Sequence, residues 1–528
     1  MRKKLGCAGI VMVFFLVLVI IGKHHQTLEP GASEVSKNQE TDLGKDGQTE
    51  ANMQLDKDRQ ESDSGQISNE KQDLEQIQKD VHNILENGSN NFFAGYSVND
   101  SFLLWVADTY GEDTLSTLVS KIENRTINKD SWYEVTGNSI HVLWLQYGRA
   151  MQFASYKWQD VKWIECQEDD VIRIDFTGDI NLDENWYTME TLNEHSGEIL
   201  ECIDGNIQQE LQDVDISVIN NEFSFSERGE ALEGKAYTFR ANPDKVSLLE
   251  AFGADIASLG NNHVYDYGAE ALLDTITTLE NAGISTIGAG ENIKEAKQAQ
   301  YVVANGRKIG FVSATEIEKY YKYTKEATET EPGVLKTLDP ETFLSVIREV
   351  DSQCDYVIVY VHWGIEGWNQ YSVGQVELAK LFAEAGADVI IGGHPHRLQG
   401  VQYLENVPVA YSLGNFWFST GTLYTTIAQV EIQTSGTISL RMIPCIQQNV
   451  TTRMLTDETE VAEFYKYLAD ISKDIAIDAQ GKIYDSTTLS MDQAGLESFF
   501  FSGQKYGQWE DDRDLEGYAI DIVGNRTS

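Results

Sequence analysis

Short apolar runs and helix-spaced apolar positions alternate along the middle of the chain, between Val171 and about Ile446. The short runs have the length of buried strands, and apolar residues every three or four positions between them indicate helices. Repeated alternation of this kind is typical of a layered α/β domain, which we expect over residues 171–447. Two late runs, Thr425–Ile432 and Thr437–Met442, flank a Thr-Ser-Gly turn and predict a hairpin that closes the domain.

Eight apolar runs are predicted as strands, and five of the intervening stretches as helices. The predicted strands are Val171–Phe176, Ile216–Asn220, Ile256–Leu259, Ile284–Gly288, Ile309–Ser313, Tyr356–Tyr360, Val389–Ile391 and Val409–Ser412. The predicted helices lie near Gly197–Leu211, Pro243–Phe252, Ala269–Asn281, Asp339–Asp351 and Val373–Glu384.

Two smaller regions flank this domain. Residues 76–165 carry apolar residues at helical spacing, broken by glycine and asparagine, and predict a small helical domain with tryptophans in its core. Residues 448–528 contain one amphipathic pattern, Glu458–Asp474, followed by an acidic tail. Neither pattern assigns a function to its region.

The N-terminal segment predicts a membrane anchor. An apolar run from Leu5 to Gly22 follows three cations at positions 2–4. It is just long enough for a helix to cross a bilayer, and the preceding positive charge favours a cytoplasmic N-terminus. Because no small-x-small cleavage site follows, we expect an uncleaved signal anchor over 1–23. Residues 24–75 lack the apolar content of a folded segment and predict a disordered linker, so the bulk of the chain is expected outside the cell, held by one span.

Charge and cysteine content narrow the class of protein further. The 528 residues carry a formal net charge of −44, which argues against a nucleic-acid partner and favours solubility and cation binding. The five cysteines lack Cys-x-x-Cys spacing, so neither a zinc knuckle nor a redox motif is indicated. The length exceeds what one hydrophobic core usually supports, in agreement with several units.

Side chains suited to metal binding follow the predicted strands. Ligands collect at the carboxyl ends of strands in α/β sheets, and four of the nine histidines in the chain fall at such ends, a concentration that packing does not explain. Each carboxylate or amide taken alone is also a common turn residue. The candidates are Asp179, Glu222, Asn261, Asn262, His263, Asp266, His362, Glu366, His394 and His396.

The ligand chemistry of this set is mixed. Carboxylates, an amide oxygen and imidazoles suit divalent ions such as Mn, Fe, Zn or Mg, rather than a thiolate site. A carboxylate that can bridge, with enough remaining ligands for one or two ions, predicts a centre that activates water and holds a phosphoryl or acyl oxygen. His263 is then a candidate catalytic acid or electrostatic stabiliser. Pro395, between two histidines, stiffens the turn that presents them.

The order of these motifs resembles the bacterial capsule synthesis CapA (PGA_cap) family, within the calcineurin-like metallophosphoesterase superfamily. The resemblance spans about 171 to 420. It is carried by Gly178-Asp179, Asn221-Glu222, Gly260-Asn-Asn-His263 with Asp266 and Gly268, His362-Trp-Gly with Glu366, Gly393-His-Pro-His396 and Tyr411-Ser-Leu-Gly-Asn-Phe416.

The resemblance implies a four-layer metallophosphoesterase-like sandwich, two mixed sheets flanked by helices, in a membrane-anchored protein of poly-γ-glutamate capsule synthesis or export. By likeness, Asp179 and His396 would serve one metal, and Asn262, His362 and His394 the second. Glu222 would take the bridging position, and His263 would protonate a leaving group. Asn181 stands where dimetal phosphoesterases have a ligating histidine, so occupancy by a single ion is also compatible with the motif.

Three functions remain open at this point. The first is a metal-dependent hydrolase or transferase of capsule biogenesis that acts on an anionic polymer or a phosphoester. The second is a non-catalytic partner of a membrane polymer synthase complex, and the third is a general extracellular metallophosphodiesterase. We expect the remaining polar residues of the motifs, Asn261, Asp266, Glu366 and Asn415, to bind substrate. Trp363, Trp368 and Trp417 are candidates for the lining of the cleft, although burial in an aromatic core is the commoner setting for such residues, and we expect a mobile loop over the cleft at Tyr320–Glu331.

Overall fold

The computed structural model describes residues 73–153, 161–317, 323–490 and 499–503. Within these ranges, the residues from Leu74 onward form one compact unit. The anchor predicted over 1–23 lies outside the described residues, as does nearly all of the linker predicted over 24–75. Within the described ranges, no helix has both the length and the apolar character needed to cross a membrane.

Strands make up most of the α/β body. In chain order they are β1 (Val161–Ile164), β2 (Val171–Ile180), β3 (Ile216–Asn221), β4 (Ser224–Phe225), β5 (Arg240–Ala241), β6 (Ile256–Ser258), β7 (Ser285–Ile287), β8 (Ala289–Gly290), β9 (Gln300–Ala304), β10 (Arg307–Thr315), β11 (Gly333–Val334), β12 (Tyr356–His362), β13 (Val389–Gly393), β14 (Val401–Leu404), β15 (Val407–Ala410), β16 (Asn415–Trp417), β17 (Leu423–Gln433), β18 (Ile438–Gln448), β19 (Thr451–Met454), β20 (Ile475–Ile477), β21 (Ile483–Asp485) and β22 (Phe500–Phe501).

Helices lie before, between and after these strands. They are α1 (73–87), α2 (Asn90–Phe93), α3 (Asp100–Tyr110), α4 (Asp113–Glu123), α5 (Ser131–Thr136), α6 (Ile140–Ala150), α7 (Tyr187–Glu194), α8 (Gly205–Asp213), α9 (Val246–Ala251), α10 (Gly268–Asn281), α11 (Ile293–Ala296), α12 (Pro340–Asp351), α13 (Val373–Glu384) and α14 (Glu458–Asp470). Capping residues determine where some of these helices begin. Helix α13 begins with a reciprocal capping box between Ser372 and Gln375. Helix α12 has proline at its first position after the Asp339 cap.

Two large mixed sheets organise the body. The first has the order β1-β9-β10-β12-β13-β15-β14, and the second has the order β19-β18-β17-β2-β3-β6-β7, with β16 paired to β2. The strands β2, β3 and β6 run parallel to one another, as do β10, β12 and β13. Their carboxyl ends therefore share one edge in each sheet, and the predicted hairpin is formed by the antiparallel pair β17–β18.

The apolar side chains form three layers around these sheets. One buried cluster joins the inner faces, with Phe176 and Val218 from the second sheet and Phe311 and Ile358 from the first. The outer face of the second sheet packs on α7 to α10, and the outer face of the first packs on α12 and α13. Strands with alternating residues in two different cores are buried on both faces, which explains their continuous apolar runs. The α/β class with mixed sheets and flanking helices is confirmed.

The helical region 73–153 has its own aromatic core and rests on the first sheet. Trp132 is fully buried, stacks on Phe92 at 4.6 Å between ring centroids, and donates from Nε1 to the Phe92 carbonyl. Ser139 Oγ donates to Asp355, just before β12, at 2.6 Å. Because β12 ends at His362, this region contacts the end of the strand opposite to that histidine, about 20 Å away along the strand.

Predicted element boundaries differ from the structure at a few places. The helix expected over Gly197–Leu211 begins only at Gly205, because Ile199–Glu201 form a 3₁₀ turn and Ile203 bridges to Thr452. The helix expected over Glu458–Asp474 ends at Asp470. Tertiary pairing overrides the local apolar spacing at both places.

Candidate metal centre

The carboxyl ends of four strands bring these predicted ligands together. Asp179 lies near the end of β2, Glu222 follows β3, His362 ends β12, and His394 and His396 follow β13. All five are buried, with at most 6% exposure. A sheet edge that collects carboxylates and imidazoles away from water is the usual setting of a divalent metal site.

Two groups of potential ligand atoms share one carboxylate. The atoms of Asp179, Glu222 and His396 lie within 4.8 Å of one another, and so do those of Glu222, His362 and His394. Glu222 belongs to both groups. A carboxylate common to two neighbouring groups is placed as a bridging ligand would be.

The first group is held together by direct contacts. His396 Nδ1 lies 3.2 Å from Asp179 Oδ2, and His396 Nε2 lies 3.7 Å from Glu222 Oε1. The backbone N–H of His394 donates to both Asp179 oxygens at 3.3–3.4 Å. Asn220 adds an amide donor to Asp179 Oδ1 at 2.8 Å, so the carboxylate is fixed from several sides.

The second group includes an amide oxygen. His362 Nε2 lies 3.4 Å from Glu222 Oε1 and 2.8 Å from Asn262 Oδ1. The rings of His362 and His394 are 4.8 Å apart and steeply tilted. Two imidazoles, a carboxylate and an amide oxygen make a four-donor set that suits a borderline divalent ion.

Several buried atoms that could bind a metal ion have no hydrogen-bond partner within the described ranges. Both Glu222 oxygens and His394 Nδ1 are fully enclosed and lack a hydrogen-bond partner there. Buried polar atoms of this kind are costly unless a ligand satisfies them. The residues therefore fit a divalent metal, because the orphaned atoms belong to residues of the two ligand groups.

Burial controls the protonation of the centre. Burial, reinforced by Asp179, raises the pKa of Glu222 well above its usual value. Burial lowers the pKa of His362 to about 3, and burial with the neighbouring imidazoles lowers that of His394 well below normal. His396 differs, because Glu222 and Asp179 outweigh its burial and raise its pKa to about 9. Neutral His362 and His394 are ready to act as ligands.

Backbone strain is concentrated at the two histidines after β13. His394 has φ 98° and His396 has φ 53°, which are uncommon values for residues with a side chain. Such conformations persist where surrounding contacts hold them and cluster at functional sites. Gly393 is required beside them, because a Cβ there would lie 2.8 Å from Asp179 Oδ1.

His263 has a carboxylate partner. Its Nδ1 donates to Asp266 Oδ2 at 2.7 Å, and its ring packs on Phe239 at 4.5 Å between centroids. Burial, followed by the charge of Lys235, lowers the pKa of His263 to about 4. The bond through Nδ1 fixes the neutral tautomer with Nε2 as the available nitrogen.

Three residues predicted as substrate contacts are instead engaged inside the protein. The carboxylate of Asp266 accepts hydrogen bonds from the His263 imidazole, the Lys235 ammonium and the Phe239 N–H. Asn261 donates to the Asn221 carbonyl and accepts from the His263 N–H. Because their polar atoms are already paired, Asp266 and Asn261 brace the site, and their predicted contact with substrate stays a prediction.

Asn415 is paired within the protein in the same way, and its predicted contact with substrate also stays a prediction. Its Oδ1 lies 2.8 Å from His396 Nδ1, and its Nδ2 donates to Ser419 Oγ at 3.0 Å. The amide thus orients the imidazole and directs Nε2 toward Glu222, as an outer partner of a metal-binding histidine does. Glu366 is partly buried and influences the pKa of Glu222, His362 and His396, and its predicted contact with substrate stays a prediction.

The tryptophans predicted for the cleft differ in burial. Trp363 and Trp417 are fully buried, with their indole N–H groups donated to the carbonyls of Tyr411 and Val450, so they are core residues rather than cleft lining. Trp368 is partly exposed. Of the loop predicted at Tyr320–Glu331, residues 320–322 lie outside the described ranges.

Two residues at the centre were missed by the sequence analysis. Asn220 stands in the same strand exit as Glu222, and its position was enough to suggest it. Lys235 lies in a polar stretch without periodicity, and no local signal marks it. Its Nζ contacts the Asn262 carbonyl and Asp266 Oδ1, both at 2.5 Å.

Comparison with known proteins shows what the part of the chain around this centre is similar to. Residues 173–420 match the model described as bacterial capsule synthesis protein PGA_cap. The chain is 33% identical over 241 residues to the capsule biosynthesis protein CapA of Bacillus anthracis, covering 44% of this chain and 58% of that one. It is 32% identical over 214 residues to the PGA biosynthesis protein CapA of Bacillus subtilis, covering 40% and 55%. The matched part is therefore a little over half the length of these relatives.

A structural likeness to the 5′-nucleotidase of Candida albicans is slight. It covers 52% of each chain at 12% identity, with a TM-score of 0.27.

Proposed function

We propose, from the match of residues 173–420 to the model of the bacterial capsule synthesis protein PGA_cap, that the chain is a metal-dependent hydrolase or transferase of poly-γ-glutamate capsule production. The proposed protein is anchored to the cell membrane by its N-terminal segment, with the metal centre outside the cell. Its partner is a membrane polymer synthase complex, and its substrate is the anionic polymer or a phosphoester linked to it.

One observation carries the catalytic part of the proposal. Two ligand groups share Glu222, and the shared carboxylate has two enclosed oxygens without a hydrogen-bond partner in the described part of the chain. A site that served only to stabilise the fold would gain by pairing these oxygens internally. Their orientation toward the histidines instead favours the binding of cations.

Each residue has a defined task in the proposed reaction. Asp179, Glu222 and His396 would hold one divalent ion, and Glu222, His362, His394 and Asn262 a second. When bound, these ions would supply Lewis-acid polarisation of a phosphoryl or acyl oxygen and activation of water.

His263 contributes the proton transfer. With Nδ1 donated to Asp266, its Nε2 would take up a proton from water and pass it to the leaving group, and Asp266 would stabilise the imidazolium that forms transiently. The enclosing apolar rings, such as Phe239, exclude competing water from this transfer.

The proposal is tested on the full-length protein in detergent. Bound Mn²⁺ is measured after dialysis, and turnover of a chromogenic phosphodiester and of a γ-glutamyl peptide is measured with and without EDTA. We expect at least one ion per chain and turnover that both EDTA and His263→Ala abolish. Less than one ion per chain under Mn²⁺ or Zn²⁺ loading would refute a metal centre.

Polymer output in a producing strain separates the remaining functions. If His263→Ala lowers output while membrane levels of the protein stay constant, catalysis serves the capsule. Unchanged output with this variant would instead indicate a non-catalytic partner of the synthase. Turnover of the phosphodiester in a strain whose polymer does not depend on the protein would indicate a general phosphodiesterase.

A further inference from the structure

A buried ammonium lies beside the metal centre, outside every motif that defines it. The side chain of Lys235 is only 6% exposed. Its Nζ donates to the backbone carbonyl of Asn262 and to Asp266 Oδ1, both at 2.5 Å. A buried charge is retained only when paired and hydrogen-bonded, so these two contacts fix where the ammonium can lie.

Asp266 connects this lysine to the rest of the site. Its second oxygen, Oδ2, accepts the Phe239 N–H at 2.8 Å and the His263 imidazole at 2.7 Å. Its backbone carbonyl accepts the Leu232 N–H at 2.9 Å. The segment 232–239 is therefore tied to the loop after β6 through one residue, Asp266, by its carboxylate and its backbone carbonyl.

The two contacts of Lys235 lead to two different functional groups. Through the Asn262 carbonyl, Lys235 fixes the residue whose side-chain Oδ1 lies 2.8 Å from His362 Nε2. Through Asp266, it fixes the carboxylate that orients His263. One cation thus links a metal-binding amide with the residue assigned to proton transfer.

We propose that Lys235 is a positioning residue of this centre: its ammonium holds the Asn262 main chain and the Asp266 carboxylate together, and so places the Asn262 amide for the metal and the His263 imidazole for the substrate. The second half of this assignment rests on the proposed function, whereas the first half concerns metal binding alone. Outer partners of metal ligands typically change affinity or activity by about 10–100-fold when removed.

The test compares Lys235→Met with the double variant Lys235→Met/Asp266→Asn, both in the full-length protein in detergent. Removing one member of a buried pair leaves an uncompensated charge, whereas removing both does not. The double variant therefore keeps the test valid if Lys235→Met alone fails to fold. Lys482→Met is the control, because Lys482 is partly exposed and pairs only loosely with Glu431, at 3.8 Å.

Two readouts are taken from each folded variant. Titration calorimetry with Mn²⁺ is expected to show affinity at least about tenfold weaker for Lys235→Met and for the double variant, with Lys482→Met unchanged. Turnover of the phosphodiester is expected to show kcat lowered about 10–100-fold with KM within about threefold of wild type, since His263 and not substrate binding is disturbed. Lys235→Arg, which keeps the charge and several donors, should recover part of both losses.

The possible outcomes separate the two claims. Mn²⁺ affinity within twofold of wild type in folded Lys235→Met, accompanied only by a lower unfolding temperature, would overturn the positioning role. If the wild type binds Mn²⁺ but turns over neither substrate, while Lys235→Met weakens Mn²⁺ binding, the proposed enzymatic function fails and the positioning of Asn262 by Lys235 stands.

Discussion

Replacing Glu222 by glutamine is the sharpest single perturbation of the metal centre, because both ligand groups contain this carboxylate. Its side chain has no solvent exposure, and neither oxygen has a hydrogen-bond partner among the described residues. Burial, reinforced by the charge of Asp179, raises its pKa well above normal. Without metal, the ionised carboxylate therefore costs the folded state free energy that a neutral amide of the same shape avoids.

Glu222→Gln should have opposite effects on the two forms of the protein. In metal-free protein at neutral pH, removal of the uncompensated carboxylate is expected to raise the free energy of unfolding by about 1–3 kcal/mol. The raised pKa means that the native state holds the proton more tightly than the unfolded chain does. The free energy of unfolding of the wild type therefore falls as pH rises from the pKa of Glu222 in the unfolded chain to its higher pKa in the native state. The variant lacks this pH dependence.

The metal-loaded protein should respond in the other direction. At a Mn²⁺ concentration one hundred times Kd, the wild type should gain about 2.7 kcal/mol of stability, and the variant should gain almost none. Guanidinium unfolding of the full-length protein, in EDTA or in Mn²⁺, measures both quantities. Glu377→Gln, on the exposed face of α13, is the matched control. A Mn²⁺-dependent gain in Glu222→Gln equal to that of wild type would refute the bridging position.

Three further predictions concern other parts of the structure. Gly393→Ala places a methyl group against Asp179 Oδ1 and should weaken Mn²⁺ binding at least about tenfold; unchanged affinity in calorimetry would contradict this close approach. Burial raises the pKa of Asp388 to about 6, so wild-type stability should fall by up to about 2–3 kcal/mol as pH rises from about 4 to 7. Asp388→Asn should lack that fall when its stability is measured by urea unfolding. A pH dependence of stability identical to that of wild type would refute the link to Asp388. Trp132→Ala should cost about 3–5 kcal/mol in thermal unfolding with Mn²⁺ affinity intact, and a loss of Mn²⁺ binding by the folded variant would contradict the separation of the helical region from the centre.

The strands were predictable because their signal is local. A strand buried on both faces must be apolar at nearly every position, so the runs at Tyr356–Tyr360 and Val389–Ile391 mark β12 and β13 almost to their ends. The helix α13 matches its prediction at both ends, since its cap and its apolar face lie in the same short stretch. Gly197–Leu211 failed at its start because a bridge from Ile203 to Thr452 is a non-local contact.

The meeting of the candidate ligands was predictable for a related reason, whereas the residues that support them were not. Parallel strands end at one edge, so polar residues at several strand ends can be expected to meet without knowledge of the loops. The role of a ligand's partner depends instead on where a loop returns. Asp266 stands in a motif that suggests contact with substrate, yet the return of Lys235 and Phe239 closes both of its oxygens. The residues around Lys235 carry no local pattern that predicts its contact with Asp266.

The net charge of −44 does not exclude an anionic substrate, because the sign of charge at an enclosed site is set locally. Charges on the surface are screened over about 8 Å at physiological ionic strength, whereas buried charges are screened much less. Within the centre, Lys235 already neutralises Asp266, and His396 with a raised pKa offsets one of the two carboxylates beside it. Divalent cations held by Asp179 and Glu222 would turn the remaining negative charge positive. An acidic surface and an anion-binding site are therefore compatible in one chain. The surface charge would act on an anionic polymer only before the polymer enters the site.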